Sequence, residues 1–219
     1  MQLVLTPELL IEAYKQGLFP MAYNSGSPYI HWVCPEMRGQ LSIPDIHLPR
    51  RLLKTIRKNP FEIRISGDFE GVIRFCAESA PKRPETWINK PIHTVFCELH
   101  KRGYAHSVEC WKEGKLVGGL YGLALGGAFF GESMFSRETN ASKIALIHLA
   151  ARLWRGGFTL LDTQFVNEHL KQFGIYELPY KDYKRKLDKA LSTQGDFLLS
   201  GISQGDILRE YLDMRNTLS

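Results

Sequence analysis

No window of the sequence approaches the roughly 18 uninterrupted apolar residues that a membrane span needs. The start, Met1-Gln2-Leu3-Val4-Leu5-Thr6-Pro7, has neither the basic opening nor the apolar stretch of a secretory signal. Export and membrane insertion are therefore not expected, and the chain reads as cytoplasmic. Cysteine is sparse: Cys34, Cys76, Cys97 and Cys110 are far apart with no Cys-x-x-Cys, which argues against a disulfide framework and against zinc. The seven histidines are scattered, and His100 and His106 have no third ligand near them in sequence, so no metal is expected. Also missing are G-x-x-x-x-G-K-[ST], a strand-associated G-x-G-x-x-G, G-x-S-x-G and H-E-x-x-H, which removes support for nucleotide hydrolysis and metalloprotease work. There is no internal repeat or low-complexity tract.

What is present is ordinary globular material: 219 residues, 44% hydrophobic and 23% charged, enough for one large domain with a small attachment and a real core. Twenty-eight Lys and Arg against 23 Asp and Glu leave a formal +5, compatible with a polyanionic partner.

Thr6 can cap a helix whose first turn holds Pro7, with Leu9, Leu10, Ala13 and Tyr14 at helical spacing up to Gly17. A turn-rich stretch follows, with aromatic residues Phe19, Tyr23, Tyr29 and Trp32 that either pack in a core or offer stacking faces to unpaired bases. Residues 1–38 read as a small N-terminal module and 39–219 as the main domain. Pro49 predicts a helix over 50–58 in which Arg50, Lys54, Arg57 and Lys58 form a cationic stripe, either a solvated face or a polyanion contact. A strand over 61–65, a helix carrying Phe69, Val72, Ile73 and Cys76, and a helix over 92–102 come next.

Residues 107–111, 115–121 and 128–135 predict an antiparallel meander, and Asn140 predicts a capped helix to Arg155 with His148, Arg152 and Arg155 on its polar side. A buried strand over 159–165 then makes a strand-helix-strand unit, which implies a parallel pair, a mixed sheet and an α+β class. Short elements near 167–173 and 176–178 and a helix over 180–190 complete the core, and the tail after Ser192 is polar and weakly patterned.

Two charges interrupt buried strands. Glu132 sits in Phe129-Phe130-Gly131-Glu132-Ser133-Met134-Phe135, beside a glycine that can mark a bulge, and is either a reactive group or a structural carboxylate satisfied by neighbours. Asp162 and Gln164 share one face of Leu160-Leu161-Asp162-Thr163-Gln164-Phe165. If the two strands are neighbours, Glu132, Asp162 and Gln164 converge near the strand ends, as a site or as a satisfied polar network.

At this point a set of motifs, in order, resembles one family. They are Ala13-Tyr14 with Gly17-Leu18-Phe19-Pro20, Trp32 with Pro35 and Arg38, Thr86-Trp87-Ile88, Ala105-His106-Ser107-Val108-Glu109, Leu116-Val117-Gly118-Gly119, Gly131 to Phe135, Ala141-Ser142-Lys143 and Asp162-x-Gln164. Together, over about residues 6 to 187, they are similar to leucyl/phenylalanyl-tRNA protein transferases. The resemblance implies a small N-terminal domain joined to a GCN5-related acetyltransferase-like domain. It implies transfer of Leu or Phe, with Met a further candidate, from aminoacyl-tRNA to acceptor proteins beginning with Lys or Arg. It also implies that this addition marks the acceptors for degradation, by a monomer without a cofactor. The glycines of a coenzyme A loop are missing from Ser136 to Lys143, which argues against acetyl-CoA.

The resemblance further implies that Glu132, Asp162 and Gln164 are catalytic, with Asp162 drawing in the acceptor amine, Gln164 relaying a hydrogen bond and Glu132 holding the array. Met21, Trp87, Leu120, Phe129 and Met134 are implied to surround the aminoacyl end, and Arg50, Lys54, Arg57 and Lys58 to hold the acceptor stem. Met21 and Val33 stand where many members carry Trp, and Tyr180 where many carry Arg.

Overall fold

A computed structural model describes residues 5–79 and 85–218. The first four residues, on which the expectation about export partly rests, lie outside them. Among the described residues no helix is long and apolar enough to cross a membrane.

The first helix, α1 (Pro7–Lys15), starts where expected, with Thr6 Oγ1 accepting from the Leu9 amide at 3.2 Å. The turn-rich stretch after it is a hairpin, β1 (Phe19–Ala22) against β2 (Ile30–Val33), in antiparallel register from Phe19↔Val33 to Ala22↔Ile30. The next strand, β3 (Met37–Leu41), belongs instead to the large sheet. Then come α2 (Arg50–Ile56), β4 (Glu62–Ile65), α3 (Phe69–Ala77) and α4 (Lys90–Lys101). The meander is β5 (Ala105–Lys112), β6 (Lys115–Leu125) and β7 (Ala128–Ser136). It is followed by α5 (Ala141–Arg155), β8 (Leu160–Gln164), α6 (Glu168–Lys171), β9 (Tyr176–Pro179), α7 (Tyr180–Leu191) and α8 (Gln204–Leu218).

The large sheet has the order β4-β5-β6-β7-β8-β3-β9. Every neighbouring pair is antiparallel except β7 and β8, which run parallel, as the α5 crossover requires. The class is α+β with a mixed sheet. Strand alternation feeds two apolar cores: Leu120, Phe129 and Leu161 pack with α2, α5 and α8, while their neighbours Tyr121, Phe130 and Leu160 pack with α1, α3, α4 and α7. Helix α5 is buried on nearly every side, and each fully buried leucine in it is worth roughly 1.5–3 kcal/mol.

Three expectations change. Asn140 does not cap α5: it is left-handed at φ 67° without a side-chain cap bond, and Ser136 Oγ takes the Ser142 amide instead at 3.2 Å. His148 and Arg152 are not an exposed stripe but buried, because α8 and the segment before it lie across them. Arg152 donates to the Phe197 and Leu198 carbonyls at 2.5 and 2.8 Å and to Gln204 at 2.9 Å. The tail is therefore structured, and the start of α8 is capped by Ser203, whose Oγ accepts from the Asp206 amide at 3.1 Å and donates to its carboxylate at 2.6 Å.

Candidate functional site

The parallel pairing of β7 with β8 ends at Phe130↔Asp162, and beyond that pair the two strands separate. Two local devices aim side chains into the opening. On β7 the register with β6 slips, from Gly122↔Gly131 to Tyr121↔Ser133, so Glu132 is the extra residue of a bulge and turns off the strand's alternation. On β8 the Phe165 amide bonds the Thr163 carbonyl at 2.7 Å around Gln164, whose φ is +58°. This is a γ-turn of the rarer, strained hand, a conformation that persists only when its surroundings hold it.

Glu132 and Gln164 meet there: Gln164 Nε2 donates to Glu132 Oε1 at 3.1 Å, and the Tyr14 hydroxyl donates to the same oxygen at 2.7 Å. Burial pushes the Glu132 carboxyl up to about 8; the bond from Tyr14 opposes this, the Asp162 charge adds to it, and Arg38 and Gln164 oppose it. The Tyr14 hydroxyl is held well above its ordinary value, first by burial and then by the adjacent Glu132 charge.

Behind them lies a sealed charge pair. Arg38 Nε reaches both oxygens of Asp162 at 3.0 and 3.1 Å and Nη2 reaches Oδ2 at 2.7 Å, and both side chains are 0% exposed. The Tyr183 hydroxyl donates to Asp162 Oδ2 at 2.8 Å, and the Gln164 amide donates to Oδ1 at 2.8 Å. Arg38 spends Nη1 on the Gly17 carbonyl at 2.8 Å and lies between the Phe19 and Tyr183 rings, 4.8 and 4.6 Å from their centroids. Burial alone would lower the Arg38 pKa, but Asp162 overrides it and holds it raised. Gly39 lets β3 come this close, because a Cβ there would stand 2.8 Å from the Phe165 carbonyl carbon.

The opening leads into a cavity of about 830 Å³ that takes lining residues from both cores, Leu146 and Leu149 of α5 on one side and Phe75 of α3 on the other. Glu132 and Gln164 line it, as do Trp87, Leu120 and Met134. Its apolar lining includes Leu120, Met134, Leu146, Leu149, Leu161 and Leu170. Asp162, Phe129 and Met21 are not on its wall. Phe129 faces the core and stacks on Phe197, centroids 5.4 Å apart. Met21 lies in the β1–β2 hairpin, which is tied to the cavity loop by the Ala22 amide on the Trp87 carbonyl at 3.3 Å and by Asn89 Nδ2 on the Ser27 carbonyl at 2.8 Å.

Arg50, Lys54, Arg57 and Lys58 are all exposed, and none makes an ion pair among the described residues. The helix stops earlier than expected: Arg57 is its C-cap and Lys58 lies in the turn beyond. Among the described residues no group of three His, Cys, Asp or Glu could hold a metal ion. Cys34, Cys76, Cys97 and Cys110 form no disulfide with one another.

Sequence reasoning noted Arg38 and Tyr14 only as parts of motifs and passed over Tyr183. A lone Arg beside a glycine and a glutamine, in Met37-Arg38-Gly39-Gln40-Leu41, does not read as a central strand, and its partner is 124 residues away. The available signal was the unpaired carboxylate in β8, which had to find a cation somewhere.

Comparison with known proteins bears on what this arrangement serves. The family model described as Leucyl/phenylalanyl-tRNA protein transferase matches residues 40–188, and the one described as its N-terminal domain matches residues 4–36. A leucyl/phenylalanyl-tRNA–protein transferase of Phenylobacterium zucineum is 54% identical over 192 residues, 88% of this chain and 87% of the relative. One of Paramagnetospirillum magneticum is 55% identical over 188 residues, covering 86% and 90%. One of Caulobacter vibrioides is 51% identical over 206 residues, covering 93% and 95%.

Proposed function

The chain belongs to the leucyl/phenylalanyl-tRNA protein transferase family, and from that premise we propose that it moves Leu or Phe from aminoacyl-tRNA to the N-terminal Lys or Arg of acceptor proteins. The observation that carries the reading is the Gln164–Glu132 hydrogen bond on the wall of a cavity that is otherwise lined largely by apolar side chains. The Leu or Phe side chain lies among Leu120, Met134, Leu146 and Leu161, and the ester carbonyl lies beside Glu132 and Gln164.

In the reaction the acceptor's α-nitrogen attacks the ester carbonyl carbon, the C–N bond forms, and the bond to the ribose oxygen breaks. The ester is already activated, so the protein must chiefly position two substrates and accept a proton from the incoming ammonium. An α-ammonium ordinarily titrates at about 7.7–8.0. Glu132, held near 8, is matched to it and is the proton acceptor in this reading; of the two protons the nitrogen loses in becoming an amide, one passes to the departing ribose oxygen and the other goes to solvent. Gln164 donates to Glu132 through Nε2, which leaves its carbonyl oxygen to accept from the ammonium.

Asp162 has no exposed surface, so we assign it a positioning role in place of direct attraction of the amine. With Arg38 and Tyr183 it grips the Gln164 amide and holds the strained turn. Phe129 supports the apolar lining from behind, and Met21 acts through the hairpin that braces Trp87.

Coenzyme A is a poorer fit. In the turn before α5 the Arg137 and Glu138 amides go to the Val117 carbonyl, the Ala141 amide to the Glu138 carbonyl, and the Ser142 amide to Ser136 Oγ. These amides are committed to protein acceptors rather than turned toward a pyrophosphate. The separated parallel pair β7 and β8 supports an acetyltransferase-like topology even so. We read a small N-terminal unit and a catalytic unit joined at β3, acting as a cytoplasmic monomer without metal or cofactor. Arg50, Lys54, Arg57 and Lys58 hold the acceptor stem, and the added residue marks the acceptor for degradation.

One incubation tests the reaction: the protein with labelled Leu-tRNA, or with acetyl-CoA, and a peptide beginning with Arg, followed by mass measurement. The expected product is the peptide plus one leucine residue. An acetylated peptide, or tRNA binding with no product, would overturn the reading.

A further inference from the structure

At the outer end of the cavity a second cation site stands ready-made. Helix α3 ends at Ala77, and its C-terminal carbonyls carry partial negative charge. Beside that end are the Phe75 ring and the Glu78 carboxylate, both on the cavity wall. Arg137, the first residue of the β7–α5 turn, lies over the ring with its guanidinium carbon 3.7 Å from the centroid, and Nη2 donates to Glu78 Oε2 at 2.7 Å. Arg74 approaches the same ring at 4.9 Å from within α3 itself. Arg137 and Glu78 are about half exposed, 48% and 49%, and a pair so placed is worth only about 0–1 kcal/mol. An arriving cation can displace it at little cost.

Among the residues that line the cavity, the acids are Glu132 and Glu78. An acceptor that begins with Lys or Arg brings two cationic groups, its α-ammonium and its side chain. Phe135, whose ring lies 5.2 Å from that of Phe75, is three residues along β7 from Glu132, about 10 Å at strand rise. An extended Lys or Arg with a hydrogen bond at each end spans such a distance.

We propose that Phe75 and Glu78 form the subsite for the basic side chain of the acceptor's first residue, and that Arg137 is a resident occupant which the acceptor displaces. The inference rests on the transferase reading and assigns the acceptor's selectivity to an end of the site that reading left without a role.

The test exploits opposite signs. At saturating Leu-tRNA, Glu78→Gln raises KM for a peptide beginning with Arg by about tenfold or more and leaves kcat near its starting value. A peptide beginning with a neutral residue is unaffected. Arg137→Ala lowers KM for the Arg peptide, because it removes the guanidinium that the acceptor must displace. A structural ion pair would move both variants the same way, and that outcome, or no change in KM, overturns the proposal. Direct binding of the Arg peptide, without tRNA, is measured in the same variants. If the wild-type protein binds the peptide through Glu78 yet makes no product, the transferase reading falls and the subsite stands; if it makes product and the variants do not differ, the reverse holds.

Discussion

The Arg38–Asp162 and Arg137–Glu78 pairs have the same closest approach, 2.7 Å, and opposite surroundings. Arg38 and Asp162 are sealed between β3 and β8, whereas Arg137 and Glu78 stand half in water on the cavity wall. The partner chemistry is the same, so the difference in what they do comes from the solvent. Breaking a buried pair strands a charge in a low dielectric, while an exposed pair hands its charges back to water. The inner pair is scaffold, and the outer pair is exchangeable.

The largest effect separating them is expected on the inner side. Arg38→Ala leaves Asp162 and its Tyr183 bond without their cation and should cost roughly 3–5 kcal/mol in urea denaturation. It should also slow transfer, because the Gln164 turn loses its anchor. A cost under about 1 kcal/mol would place the inner pair with the outer one.

A second buried arginine, Arg152, sharpens the rule. Arg152 has carbonyls and Gln204 instead of a carboxylate hydrogen-bonded to it, and burial lowers its pKa to about 10, where Asp162 keeps that of Arg38 raised. His148 beside it and His106, stacked on Phe197, are pushed by burial down to about 4. Their folded values lie below the usual 6.5, so the unfolded chain binds more protons between about pH 6.5 and 4. Stability is full above that window and falls as the pH drops through it, by up to about 3 kcal/mol per histidine. Denaturation at stepped pH with His148→Gln should show a shallower fall; an unchanged slope would remove His148 from the account.

Residues 192–218 show why part of this fold was not legible in the sequence. Helix α8 buries Ile207 and Tyr211, a stripe too narrow to stand out, and its function is to cover polar groups on α5. With the cover unseen, His148 and Arg152 read as a solvent face. The N-cap Ser203 with Asp206 three residues on was the missed local signal. By contrast the meander and the parallel β7–β8 pair were legible, since they follow from period-two patterning and one crossover rule, and the meeting of Glu132 with Gln164 follows from that pair together with the bulge that Gly131 marks. The cation that serves Asp162 was not, because pairing across 124 residues leaves no local pattern.

Smaller effects belong to the exposed cations. Replacing Arg50, Lys54, Arg57 and Lys58 by Gln should change stability by less than about 1 kcal/mol. It should weaken charged-tRNA binding and flatten the log–log salt dependence by up to about one unit per cation removed. An unchanged salt slope would withdraw the tRNA role of this stripe. The smallest stability effect is expected at the outer pair, where Glu78→Gln and Arg137→Ala should each shift unfolding by less than about 0.5–1 kcal/mol. A loss of several kcal/mol in either would show that pair to be structural.

The division of labour between Glu132, which takes the proton, and Asp162, which holds the geometry, is tested most directly by single-turnover transfer as a function of pH. With an acceptor whose α-amine is already neutral throughout, the wild-type rate should rise through about pH 8 as Glu132 loses its proton, and then level off. Glu132→Gln should lower the plateau by about 10²–10⁴-fold and remove that rise, while Asp162→Asn should slow transfer and keep the rise in place. A rise near pH 8 that survives in Glu132→Gln, or vanishes only in Asp162→Asn, would contradict the account.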